Sequence, residues 1–125
     1  MSSSLRILVV DDSLSMRLVV GQLLTSLGHQ VVGEAKDGLE ALQLYMEHKP
    51  DLVMLDLVMP KFDGKKTLKK ILQVDAQAQI IICSSLGSEG DIEYCLREGA
   101  KFYLQKPYEI AGVTTAINSL SEPVS

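Results

Sequence analysis

Short apolar runs rich in branched residues alternate along the chain with segments whose apolar positions recur every three or four residues. Residues 6–10, ending Ile7-Leu8-Val9-Val10, form the first run. A helix is predicted over 14–27, with a stripe at Met16, Val19, Val20, Leu23, Leu24 and Leu27 and Gly28 placed to stop it. A second strand over 30–34 leads to Asp37-Gly38-Leu39-Glu40, which has capping-box spacing with Asp as the cap, and to a helix carrying Leu39, Leu42 and Met46. Pro50 bars its continuation. The third strand, 51–55, gives way to the turn-rich stretch Met59-Pro60-Lys61-Phe62-Asp63-Gly64 and a helix with Leu68, Ile71 and Leu72 inward. Strand four covers 80–83, and a helix with Ile92, Cys95 and Leu96 ends at Gly99. Strand five covers 101–105, and Ile110, Val113, Ile117 and Leu120 mark the last helix. Five βα units in succession predict an α/β domain built around a parallel sheet.

Bulk properties narrow the classes of function. With 125 residues the chain suits one domain with one core, expected over 1–120, and 121–125 reads as a frayed tail or the start of a linker. Hydrophobic content of 46% and charged content of 22% are ordinary for a soluble protein. No apolar stretch approaches the roughly 20 residues of a membrane helix. The first residues lack a signal peptide's features, so a cytoplasmic location is expected. Cys83 falls in a strand and Cys95 on a helix, which disfavours a disulfide or zinc site and suggests two reduced core thiols. A net charge of −4 argues against non-specific nucleic-acid binding. The basic group Lys61, Lys65, Lys66, Lys69 and Lys70 reads first as a solvated helix face, and His29 and His48 as surface residues.

The chemistry lies at the strand ends. In an open parallel sheet ligands bind beyond the carboxyl ends of the strands. Asp11 and Asp12 follow strand one, Asp56 strand three, Ser84 and Ser85 strand four, and Lys106-Pro107 strand five. Taken singly, these are helix caps, loop acids, turn residues and a loop dipeptide. Their convergence on one rim is what carries meaning. Three carboxylates suit a hard divalent cation such as Mg²⁺, which takes one or two protein carboxylates and fills its other positions with water and phosphate oxygens. A carboxylate can also be the nucleophile towards a phosphoryl group, and Asp56 is the better candidate. Asp11 and Asp12 read as cation holders, one direct and one through water. Lys106 supplies an ammonium for phosphate charge and Ser84 a hydroxyl donor.

Val9-Val10-Asp11-Asp12-Ser13, Asp56-Leu57-Val58-Met59-Pro60, Asp63-Gly64, Cys83-Ser84-Ser85 and Lys106-Pro107 together resemble the receiver domain of two-component response regulators, of the chemotaxis-regulator kind, from about Leu5 to Leu120. The resemblance implies a single flavodoxin-like (βα)5 domain with strand order 2-1-3-4-5 and helices on both faces. It implies a regulatory phosphoacceptor that promotes its own phosphorylation and dephosphorylation. Asp56 would be phosphorylated from a sensor histidine kinase or phosphotransfer protein. Asp12 and Asp56 would ligate Mg²⁺ directly, Asp11 through water, and the Val58 backbone carbonyl would complete the protein ligands. Ser84 and Lys106 would hold phosphoryl oxygens. Ser84 and Tyr103 would form the switch, reshaping the face of helix four, strand five and helix five that meets a downstream protein, with a phosphorylation-dependent homodimer as a further outcome. A cis Lys106-Pro107 bond is also implied. No direct nucleic-acid or membrane partner is expected.

Two rim positions depart from the family's usual polarity. Val58 and Leu86, each two residues beyond a site residue, are apolar, which suggests a long-lived phosphorylated state. Ser85 stands where a small residue such as Ala is frequent. Rival functions fit less well. A flavin carrier would meet repulsion between the cofactor phosphate and Asp11-Asp12, and a haloacid-dehalogenase-like phosphatase would want an acid where Ser13 stands. A receiver cut from a longer regulator with a DNA-binding or enzymatic output domain is the nearer alternative, and a stand-alone adaptor fits the length best.

Overall fold

The computed structural model describes residues 4–59, 63–85 and 89–120. Ten elements alternate in chain order: β1 Arg6–Val10, α1 Leu14–Ser26, β2 Gln30–Ala35, α2 Gly38–His48, β3 Leu52–Asp56, α3 Gly64–Val74, β4 Ile80–Ser84, α4 Glu89–Glu98, β5 Phe102–Gln105 and α5 Ile110–Asn118. All strand pairings are parallel, in the order β2-β1-β3-β4-β5. The expected (βα)5 architecture is the observed one.

Strand periodicity divides the core into two layers. Ile7 and Val9 of β1, Leu52 and Met54 of β3, and Ile81 and Cys83 of β4 point to one face, where Val20 and Leu24 of α1 and Val113 and Ala116 of α5 cover them. Leu8, Val10, Val53, Leu55, Ile80 and Ile82 point to the other, beneath Ala41 and Tyr45 of α2, Leu68 and Ile71 of α3, and Cys95 of α4. Because β1, β3 and β4 are covered on both faces, their sequences are nearly unbroken apolar runs, whereas the edge strands β2 and β5 mix exposed and buried positions.

Helix starts follow local chemistry. The Ser13 hydroxyl accepts from Met16 N–H, and the Asp37 and Asp63 carboxylates accept from Glu40 and Lys66 N–H. In the predicted capping box the Glu40 carboxylate reaches back to Lys36 N–H. Gly28 and Gly99, just beyond α1 and α4, take the positive φ that a helix-stopping glycine permits.

Several predicted helix faces are corrected. In α1, Val19 is exposed and Val20 and Leu24 are the buried pair. In α2, Leu39 and Met46 face outward, and the buried face is Gly38, Ala41 and Tyr45. Small residues let that helix lie close to its neighbours, and Tyr45 then reaches across so that its hydroxyl donates to Asp75 Oδ2 at 2.7 Å. Leu96 and Ile110 are also exposed. Neither histidine is a simple surface residue: both are half-buried, and His29 Nδ1 accepts from Leu5 N–H. Both cysteines are free and buried, and burial pushes the Cys83 thiol up to about 12 and the Cys95 thiol up to about 11. No helix among the described residues is long and apolar enough to cross a membrane. The tail expected at 121–125, together with Lys61 and Leu86, lies outside the described residues.

Candidate functional site

The parallel ladder delivers the predicted residues to one end of the sheet. Asp56 is the last residue of β3, paired with Cys83 of β4, and Ser84 ends β4 opposite Gln105. Lys106 follows at once, its N–H donating to the Ser84 carbonyl. Asp11 continues β1, its N–H donating to the Ala35 carbonyl of β2. Four neighbouring strands thus end in Asp11, Asp56, Ser84 and Lys106. The Lys106-Pro107 bond is cis, as the resemblance implies.

Carboxylate oxygens of Asp11, Asp12 and Asp56 lie within 4.8 Å of one another. Asp11 and Asp56 are buried, and Asp12 is exposed. Lys106 Nζ donates to Asp11 Oδ2 at 2.8 Å and lies 3.4 Å from Asp56 Oδ2. Asp11 Oδ1 accepts from Ser13 N–H, so both oxygens of Asp11 are engaged. Among the described residues nothing engages the carboxylate of Asp12.

Electrostatics give the cluster a specific demand. Burial pushes the Asp56 carboxyl above its ordinary range. The Lys106 ammonium pulls it back, but Asp11 pushes it further up. Burial pulls Lys106 down, yet its bond to Asp11 and the charges of Asp56 and Asp11 outweigh that effect, and the net shift is upward. Three carboxylates against one ammonium leave the cluster short of the charge that one divalent cation carries. Their oxygens are hard donors of the type Mg²⁺ prefers, and each of the three acids offers one within 4.8 Å of the others, with the carboxylate of Asp12 not engaged by any described residue. The donor set therefore fits such an ion.

Ser84 supplies the second half of the site. Its residue is buried, and Oγ has no hydrogen-bond partner among the described residues. Buried hydroxyls are normally satisfied, and leaving one orphaned costs about 1–3 kcal/mol. An acceptor arriving beside Asp56 would relieve it.

The remaining expected residues fall around this centre. Val58 is 74% exposed on the rim, its N–H donating to Asp56 Oδ1 at 3.3 Å. Ser85 is exposed. Tyr103 is partly exposed, stacked on Phe102, and with Ser84, Ile92, Leu96 and Gln105 it lines a groove of about 410 Å³. Lys65 is taken up by Asp91 at 2.5 Å and lies 5.1 Å from the centre of the Tyr94 ring, while Lys66, Lys69 and Lys70 stand exposed. One residue at the site was missed from sequence: Arg17, whose guanidinium reaches back to the acidic loop. Its place one turn into the helix that follows Asp11-Asp12 is the signal that could have drawn attention to it.

A model of the response regulator receiver domain matches residues 7–118. The chain is 44% identical to the chemotaxis protein CheY of Bacillus subtilis, covering 90% of this chain and 94% of that one. It is 38% identical to CheY of Thermotoga maritima, covering 94% and 98%. Among solved structures it is similar to a chain in the CheX–CheY–BeF3–Mg²⁺ complex of Borrelia burgdorferi, with a TM-score of 0.87 and 38% identity over 91% of this chain and 87% of that one.

Proposed function

The chain belongs to the response regulator receiver family of two-component signalling, and from that membership we propose that it takes a phosphoryl group onto Asp56 from a sensor histidine kinase or phosphotransfer protein, in a Mg²⁺-dependent reaction. The orphaned Ser84 hydroxyl, one strand over from Asp56, is the observation that carries this reading.

An Asp56 Oδ forms the bond to phosphorus while the phosphorus–nitrogen bond to the donor histidine breaks; with that ring's other nitrogen protonated, the imidazole leaves neutral and an aspartyl phosphate remains. Asp12 and Asp56, with Asp11 through water and the Val58 carbonyl, would hold Mg²⁺, which when bound offsets the charge of the carboxylates and the incoming phosphoryl oxygens. Lys106 moves its donors from Asp11 and Asp56 to a phosphoryl oxygen, and Ser84 Oγ donates to another. Ser84 Oγ, without a partner among the described residues, thereby gains one. Promotion of its own phosphorylation and dephosphorylation belongs to the same reading.

The output follows from what Ser84 borders. It shares a groove with Tyr103, Ile92 and Leu96. Movement of Ser84 towards a phosphoryl group lets Tyr103 turn inward, changing the α4-β5-α5 face that would meet a downstream protein or a second phosphorylated copy. This is a two-state element biased by local charge. The Borrelia CheY is bound to CheX in its solved complex, which supports a protein partner here. Two buried free cysteines suit the cytoplasmic compartment that goes with this role.

The test is incubation with Mg²⁺ and acetyl phosphate, then intact mass measurement on wild type and Asp56→Asn. Wild type gains one phosphoryl group, and both the variant and the chelator-treated wild type gain none. A wild type that stays unmodified, or a variant that gains as much, refutes the assignment.

A further inference from the structure

The loop that carries Asp11 and Asp12 is held from outside the acidic cluster. Arg17, on the first turns of α1, folds back so that one guanidinium nitrogen (Nη1) donates to the Asp11 carbonyl at 2.7 Å. Its Nε donates to Glu34 Oε1 of the edge strand β2 at 2.9 Å. The side chain of Arg17 is only 15% exposed, against 43% for Glu34, so the fork is largely shielded at the loop. A planar guanidinium with two arms engaged in different directions is a rigid strut.

The strut acts on one peptide plane. The Asp11 carbonyl belongs to the Asp11–Asp12 peptide, and its direction sets where the Asp12 side chain leaves the backbone. Asp11 itself has other restraints: its N–H on Ala35, Oδ1 on Ser13 N–H and Oδ2 on Lys106. Among the described residues Asp12 has none of its own, although its carboxylate is the free one in the cluster. We propose that Arg17 is a positioning residue for cation binding: clamped by Glu34, it orients the Asp11–Asp12 peptide and so aims the Asp12 carboxylate at the ion. This rests on the Mg²⁺-dependent phosphoacceptor reading of the site.

Charge and position predict opposite signs. A guanidinium one hydrogen bond from the acidic loop opposes a divalent cation electrostatically, so its removal would strengthen Mg²⁺ binding if charge were all it contributed. Partners that orient ligands from outside typically account for about 10–100-fold in metal affinity. The aim of Asp12 is therefore expected to outweigh the repulsion.

The experiment titrates the full chain with MgCl2 alone, by calorimetry and by melting temperature, for wild type, Arg17→Met, Arg17→Lys and Glu34→Gln. Arg17→Met weakens Mg²⁺ binding about tenfold. Arg17→Lys, with one donor site in place of a fork, falls between, and Glu34→Gln, which keeps an accepting oxygen, stays near wild type. In acetyl phosphate reactions the Mg²⁺ concentration for half-maximal phosphorylation rises in Arg17→Met while the rate at saturating Mg²⁺ is retained. Tighter binding in Arg17→Met shows a charge effect and overturns the proposal. Unchanged affinity with a lower metal-free melting temperature shows a purely structural strut and overturns it as well. If Arg17→Met does not fold, Arg17→Lys decides: wild-type affinity there overturns the inference. A wild type that does not respond to Mg²⁺ refutes the functional reading and this inference with it.

Discussion

Gly64→Ala tests how tightly α3 is seated against the strand that ends in Asp56. Gly64 is buried at the start of α3, and its N–H donates to the Leu57 carbonyl at 3.0 Å. A Cβ there would stand 2.5 Å from Leu57 Cα and 2.7 Å from the Asp56 carbonyl oxygen. Both are backbone atoms, so no side chain can swing aside, and relief requires the helix start and the end of β3 to part by nearly an ångström. Overpacking of this kind costs about 1–3 kcal/mol, and rigid obstacles put this site towards the top of that range. A smaller unfolded-state entropy returns about 0.4–1 kcal/mol. The net expectation is a loss of about 2 kcal/mol, or roughly 8 °C in melting temperature for a chain of this size. Gly21→Ala is the internal comparison. Gly21 lies within α1 with nothing within 4 Å of its added Cβ, so helix propensity alone acts and stability rises by about 0.5–1 kcal/mol. Urea and thermal unfolding monitored by circular dichroism measure both. A Gly64→Ala protein within about 0.5 kcal/mol of wild type, or two glycine variants that shift alike, would refute the argument that space rather than propensity requires glycine at 64.

Tyr45→Phe removes the hydroxyl that donates to Asp75 Oδ2 and should cost about 1.5 kcal/mol in urea unfolding, while an unchanged midpoint would show that the bond contributes nothing net. Burial lowers the His29 pKa below its ordinary 6.5, so between the folded value and 6.5 the unfolded chain binds the proton more readily. Stability from the neutral ring is therefore complete above 6.5 and is lost as pH falls from 6.5 through the folded value. His29→Asn keeps an acceptor for Leu5 N–H without titrating, and its stability should lack that slope; an equal slope in wild type and variant would remove His29 as the cause. Val58→Asn places a polar group on the exposed rim beside Asp56 and should shorten the phosphoryl lifetime several-fold, read as phosphate release after donor removal. An unchanged rate would count against the apolar rim as a brake.

What was legible from sequence follows from periodicity and its limits. Strands β1, β3 and β4 were plain because burial on both faces leaves no polar position to blur them, and the rim followed from their ends. Helix faces were less legible. In α2 the eye goes to Leu39 and Met46, but the buried face is Gly38, Ala41 and Tyr45, because close approach to the sheet selects small residues and one long aromatic that reaches Asp75. Asp11, Asp12, Asp56 and Lys106 could be brought together because parallel topology forces strand ends onto one edge. Arg17 could not, since its partners Asp11 and Glu34 lie six and 17 residues away and only the chain's return through β2 brings Glu34 beside it. The engagement of both Asp11 oxygens, against the freedom of Asp12, likewise depends on a bond from Lys106.

That bond spans 95 residues of chain. Lys106 follows β5, the fifth strand in chain order, which among the described residues joins the sheet along β4. Until β5 docks, the acidic loop at the front of the chain and Asp56 in its middle face each other without the ammonium between them. A partly unfolded chain in which β5 has not docked therefore holds the acids without the group that offsets their charge. The Lys106–Asp11 bond in this way ties the first strand of the sheet to the fifth, and the charge balance of the acidic loop depends on a closure made across nearly the whole described fold.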